Sequence, residues 1–436
     1  MALQTQAPAT QDFAQTYAEF SSSLEFADLS AATVAGVTAE GATEVRDLVR
    51  DWGGKPEAQV LWRDLRIPAP MAAWINGIMA HARDYDDVHE KAIVHAGVSN
   101  LPVAIAAADA AGRPVTGRDF YTGLIAGMEL TTRMGAASTV GVTESGFIYL
   151  PVRLLRRDRW RRARPRAVGR GDSKCPRNRL LPGGRGPSGN PRRRLDQADA
   201  AGFRGPGRAD VNRNGRAGRI RATEHLRGRR WRLEDLSYKP YPSCRFNHTA
   251  IDAALRIRSQ PGFDRREVTA IRAYQTVTGR EVCGTPVEMR QNPATLPQAQ
   301  FNICYNVACA LVSAEVGVAD FADPAALLRP DVATVTCMVV PLVDDEVERG
   351  WGRNVSPTRL EVETPGRFYT ARVDFAKGSL LSPFTAADRR RKLEDCLRFG
   401  GFDRSRADVF DEVIDDLIDS ADVSADFRGL TAEVTR

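Results

Sequence analysis

Residues 71–111 read MAAWINGIMAHARDYDDVHEKAIVHAGVSNLPVAIAAADAA. The run Pro70 to Ala82 is rich in Ala, Met and Ile, and Leu101 to Ala111 is small and apolar almost all round. Both patterns predict helices packed on several sides. The connection between them holds Asp84, Asp86, Asp87, His89 and His95. Three carboxylates and two imidazoles this close together can serve acid–base catalysis or bind a metal. The plain alternative is a helix C-terminus followed by a solvated acidic loop.

Helical patterning continues outward on both sides. Phe13, Tyr17 and Phe20 recur at helical spacing, and EVRDLVRDW (Glu44 to Trp52) extends the pattern. Thr116 is placed to cap a helix whose stripe is Phe120, Leu124 and Met128. Residues 10–150 therefore read as the first part of a helical domain, continued over 233–262 by a helix from Thr249 to Arg258. The period then changes. Glu267 to Val277 alternates, and Leu360 to Thr364 and Phe368 to Phe375 flank the turn signal Pro365-Gly366. Gln298 to Val312 reads as helical. Residues 263–395 form a smaller α+β unit, and 396–436 return to the helical part. Thr385 caps a helix with Leu393 and Leu397 that leads into this return, and Val409, Phe410, Val413, Ile414, Leu417 and Ile418 make a final amphipathic helix. The fold class is mainly α with an α+β second domain.

The formal charge of +6 conceals two unlike parts. Residues 151–232 carry 25 Arg and one Lys against six Asp or Glu, a local net of +20, while the remainder carries −14. The block has neither helical nor strand periodicity, and its Arg, Gly and Pro content cannot bury a core. An Arg-rich nucleic-acid arm is one reading, but only Trp160, Phe203 and Trp231 are available to stack on bases. A reading-frame shift explains more. Arg codons are mostly CGN, and one base later such codons begin with G and specify Ala, Gly, Val, Asp or Glu. LPVRLLRRDRWRRARPRAV (Leu150 to Val168) can be recoded as YLFGYFGATAGAARVLGLS, an apolar helical pattern, and RRLDQADAAGFR (Arg193 to Arg204) as AALTKRMQPGFA. The frame is left near Tyr149 and regained near Arg229 to Leu233. The charge is then no argument for a nucleic-acid partner.

Seven scattered cysteines without a Cys-x-x-Cys pair argue against a disulfide framework or a structural zinc site. No basic n-region with an apolar core opens the chain, and no apolar run reaches the ~18 residues of a membrane span. A cytoplasmic protein without a membrane partner is the expectation.

A second cluster is KPYPSCRFNH (Lys239 to His248). Its two prolines fix an extended approach to a helix, and Lys239, Arg245 and His248 can face a carboxylate ligand. A proline-punctuated linker is the alternative reading.

At these residues the chain resembles the MmgE/PrpD family. The resemblance is carried by MAAWINGIMAHARDYDD with DYDDVHEKAIVHAGV, by KPYPSCRFNHTAIDAAL, by PQAQFNICYNVACALV (Pro297 to Val312) and by GSLLSPFTAADRRRKLEDC. It implies a large helical domain with an α+β lid, a homodimer, and no metal or other cofactor. It also implies lyase or isomerase chemistry on a small polycarboxylate, as in 2-methylcitrate dehydratases, cis-aconitate decarboxylases and iminodisuccinate epimerases. By motif position, Asp84, His95, His248 and Tyr305 are the catalytic candidates, and Asp87, His89, Lys239 and Arg245 the substrate-binding ones. The shifted-frame string TKRMQPG is similar to the family's lysine motif, whose place Asp196 to Ala198 occupy. Ile148 stands where many members have His, Val88 where a small hydroxyl residue is commoner, and Ser30 to Thr43 is short against the family.

Overall fold

The computed structural model describes residues 26–137, 231–322, 324–349 and 357–435. The expected helix around Phe13, Tyr17 and Phe20, and nearly all of the basic block, lie outside the described residues.

Helices α1 (Phe26–Gly36), α2 (Ala42–Trp52), α3 (Ala69–His81), α4 (Ala96–Ala110) and α5 (Gly117–Ala137) follow one another in the first part of the chain. Small residues set their spacing. A side chain at Gly36 would collide with the carbonyl of Met79, so α1 and α3 touch backbone to backbone. Phe120, Leu124 and Met128 of α5 are buried, and Thr116 Oγ1 accepts from Asp119 N at 3.2 Å, as the stripe and cap anticipate. Three late helices complete this core: α9 (Ala386–Gly400), α10 (Ala407–Asp416) and α11 (Val423–Thr435). Thr385 and Asp388 form a reciprocal capping box on α9. The expected final helix ends at Asp416 and passes through a short 3₁₀ turn, and α11 then follows it.

A second core is built on four strands: β5 (Ala270–Gln275), β6 (Val339–Val343), β7 (Thr358–Thr364) and β8 (Arg367–Val373). Their order is β6-β5-β7-β8, with β5 and β6 parallel and the other pairs antiparallel. Leu360 and Val362 face inward, opposite Ala371 and Tyr369, and Gly366 turns the hairpin with φ 82°. Two helices cover the sheet: α6 (His248–Arg258) and α7 (Ile303–Val312). Every residue of α7 is buried.

Two expectations change here. The stretch Gln298 to Val312 is not one helix. The side chain of Asn302 accepts from Tyr305 N at 3.1 Å and starts α7 afresh, after a short turn of helix at Leu296–Gln300. Helix α6 was grouped with the helical part, yet its small apolar face (Ala250, Ile251, Ala253, Ala254, Ile257) lies in the sheet core. A helix patterned on one face does not say which neighbour that face meets. Helix α8 (Pro330–Met338) and strand β6 lie where the sequence pattern marks no element.

Strands β1 (Ala58–Gln59) and β2 (Arg66–Ile67) pair with each other ahead of α3, and two further short strands tie the parts together. β3 (Val88–His89) pairs antiparallel with β4 (Leu236–Ser237), so the segment around Asp84 lies against the segment around Lys239. Among the described residues, no helix is long and apolar enough to cross a membrane.

Candidate acid–base site

The chain leaves α3 at His81, and Asp84 then adopts φ 50°, a left-handed conformation that costs energy for any residue but glycine. That turn sends the carboxylates of Asp84 and Asp86 inward. The pairing of β3 with β4 brings Lys239 to meet them. Lys239 Nζ donates to Asp84 Oδ1 and, at 3.1 Å, to the Asp84 carbonyl, and lies 3.9 Å from Asp86 Oδ1. All three side chains are buried. Asp84 Oδ2 has no hydrogen-bond partner among the described residues.

Asp86 also faces two imidazoles. His81 Nδ1 lies 3.1 Å from both of its oxygens, and His95 Nδ1 lies 2.9 Å from Oδ2. The two rings meet edge to face with centroids 4.9 Å apart. Burial opposes the charge on Asp86, but His81, His95 and Lys239 outweigh it and hold the carboxyl well below the usual range. Burial likewise opposes the Lys239 ammonium, and Asp84 and Asp86 overcome it and raise its pKa. At His81 burial is offset by Asp86 and Asp84, so its pKa is raised as well.

The other candidates are placed differently. Asp87 accepts from Gly97 N with both oxygens, at 2.9 and 3.0 Å, and so caps the start of α4. Burial, with Asp86 beside it, raises its pKa to about 6. His89 lies in the β3–β4 ladder, and its Nδ1 accepts from Ala92 N at 3.0 Å. Arg245 is committed to structure. It donates to Glu90 Oε1 at 3.0 and 2.8 Å and to the carbonyls of Lys377 and Ala376 at 2.7 and 3.3 Å. His248 accepts from Arg245 Nη1 on Nδ1 (3.2 Å) and donates from Nε2 to the carbonyl of Ser243 (3.0 Å). Burial, then Arg245 and Lys239, push its pKa well down, so the ring is neutral. Tyr305 donates to the carbonyl of Asp320 at 2.7 Å within the sheet core. Of the eight residues singled out from the sequence, the structure thus brings together Asp84, His95 and Lys239. Asp86, which the sequence places in the cluster without a role of its own, joins them, as does His81, which was missed. Its signal was the spacing of a histidine in the last turn of a helix five residues before an aspartate.

Two family models match the chain: MmgE/PrpD N-terminal domain over residues 14–149 and MmgE/PrpD C-terminal domain over residues 241–417. Together they span well over half of it. The chain belongs to the MmgE/PrpD family. A comparison with curated proteins returned no match. In MmgE/PrpD terms, His81, Asp84, Asp86 and His95 come from the N-terminal match and His248 from the C-terminal one, with Lys239 two residues ahead of the latter.

His81, Asp86 and His95 bring their ligand atoms within 4.8 Å of one another, a donor set suited in kind to a transition metal. The position is a poor one for a dication. Lys239 Nζ already faces the same Asp86 carboxylate and supplies the positive charge that Asp84 and Asp86 require.

His89 gives this MmgE/PrpD chain a pH dependence. Burial lowers its pKa to about 4, against about 6.5 in the unfolded chain. A depressed histidine contributes stability that is present above pH ~6.5 and lost as pH falls toward 4, because the unfolded chain takes up the proton first. His248 acts in the same direction, and Asp87, with its raised pKa, acts in the opposite one between about 4 and 6. The measurement is therefore a difference. Unfolding free energies from urea titrations of the unmodified chain and of His89→Gln, followed from pH 7 to 4, should diverge by on the order of 3 kcal/mol in total. Parallel curves would show that His89 is not buried neutral.

Proposed function

We propose that this chain is a lyase or isomerase that moves a proton on the carbon next to a carboxylate of a small polycarboxylate, with its own side chains as acid and base. The finer choice among dehydratase, decarboxylase and epimerase is left to assay. The reading rests on one observation. Asp84 is a strained, buried carboxylate with one oxygen held by Lys239 and the other without a hydrogen-bond partner among the described residues. Such an oxygen can accept a proton from carbon, while the adjacent ammonium stabilises the negative charge that develops on the substrate carboxylate. His95, next to Asp86, is the second group able to carry the proton. The resemblance adds a homodimer in the cytoplasm and no cofactor to this proposal.

The direct test is solvent deuterium incorporation, followed by NMR, with 2-methylcitrate, cis-aconitate and related acids. Exchange at the carbon next to a carboxylate, lost in Asp84→Asn, is the expected result. No exchange on any of these acids by a chain whose frame has been restored would count against the reading.

The basic block belongs to the same proposal. The N-terminal match stops at Tyr149, where the recoding begins to yield apolar helical text, and the next match starts at Tyr241. This coincidence supports a reading-frame origin for residues 151–232 rather than a nucleic-acid-binding arm.

A further inference from the structure

The cluster holds one carboxylate that touches two imidazoles. Asp86 is 2% exposed, and its oxygens lie 3.1 Å from His81 Nδ1 and 2.9 Å from His95 Nδ1. An ionised carboxylate can only accept hydrogen bonds. His81 Nδ1 must therefore carry the hydrogen of that bond. His95 Nδ1 meets Oδ2 at 2.9 Å without good hydrogen-bond geometry, and two lone pairs that close would repel unless it carries a hydrogen too. The charged groups beside Asp86 that the described residues show do not upset this. Lys239 stands 3.9 Å away on the Oδ1 side and favours the ionised form, Asp84 is turned to Lys239, and Asp87 is held by Gly97 N.

We infer that Asp86 is the positioning residue of this site: its single carboxylate holds the Nδ1 edges of His81 and His95 and commits both rings to exchanging protons through Nε2. The inference rests on the acid–base reading for its purpose, but not for its test. His81 thereby joins the site as a second oriented imidazole. Its side chain is 36% exposed against 8% for His95, so the pair reaches from the solvent edge to the buried interior.

The tautomers can be read directly by ¹⁵N NMR of the histidine-labelled full chain without any substrate. The five histidines can be assigned with single His→Gln variants. In the unmodified protein the neutral forms of His81 and His95 should both show the Nδ1–H signature. Either ring found as Nε2–H overturns the inference, even if every variant at Asp86 fails to fold. In Asp86→Asn, which keeps the shape and can donate, both signatures should shift toward Nε2–H. The rate of carbon-bound proton exchange should then fall by roughly 10²–10⁴-fold with little change in KM. Unchanged tautomers in a folded Asp86→Asn protein would also overturn it. If the tautomers are as expected and no acid is turned over, the positioning role stands and the proposed reaction falls.

Discussion

Lys239→Met should lower the stability of the folded chain by about 3–5 kcal/mol, the usual cost of removing one partner from a buried ion pair. Lys239 is 1% exposed, and its ammonium is the cation between Asp84 and Asp86. Without it, two buried carboxylates lose their ammonium and are left beside the imidazoles of His81 and His95. The loss is a large part of a total margin of ~5–15 kcal/mol. The pH window follows from the directions of the shifts. Asp86 is depressed, so its share is present above the unfolded value near 3.8 and lost as pH falls through the folded one. Lys239 is raised, so its share is present below about 10.5 and lost as pH rises through the folded value. Between these limits the full penalty should appear in the urea midpoint. The double variant Lys239→Met with Asp84→Asn should recover part of it, because the uncompensated charge is then gone. A loss under ~1 kcal/mol, or no recovery in the double variant, would mean that the ammonium is not what neutralises the site. Proton exchange on substrate should disappear in Lys239→Met in either case.

Restoring the reading frame should have the larger effect. Shifting the frame by one base near codon 149, and back near codon 230, is expected to replace the net +20 block with text like the strings recoded from 150–168 and 193–204. The expected result is higher helical content by circular dichroism, a gain of more than ~5 kcal/mol in unfolding free energy, and the appearance of turnover. Sequencing the coding DNA decides the cause. If no single-base shift produces the alternative strings, or if the restored chain is less helical than the present one, the frame reading fails. In that event, salt-sensitive binding of RNA that vanishes on deletion of 151–232 would favour the basic-arm alternative.

Part of the fold was legible because its signals are local. The caps at Thr116 and Thr385, the stripe Phe120–Leu124–Met128 and the Pro365-Gly366 hairpin depend on neighbours a few residues away, and each stands where the sequence placed it. Strand β6 was missed because Val339–Val343 is only five residues long and follows α8 without a turn signal. Its partner is β5, more than sixty residues earlier in the chain. The break at Asn302 was missed because an apolar stretch hides a cap until the side chain is seen to bond back to Tyr305 N.

The site divides in the same way. The sequence alone identified the two segments that meet, 84–95 and 239–248, because each concentrates charged and imidazole groups between helical runs. It could not say which of those groups face one another. Four of the candidates, Asp87, His89, Arg245 and His248, are occupied with a helix start, a strand ladder and backbone carbonyls. Tyr305 is spent on the carbonyl of Asp320. Only the left-handed turn at Asp84 and the pairing of β3 with β4 decide that Asp84, Asp86, His81, His95 and Lys239 share one buried space. The physical reason is that residue type determines what a side chain can do, whereas burial and the partners brought by distant segments determine which of those capacities remain unspent.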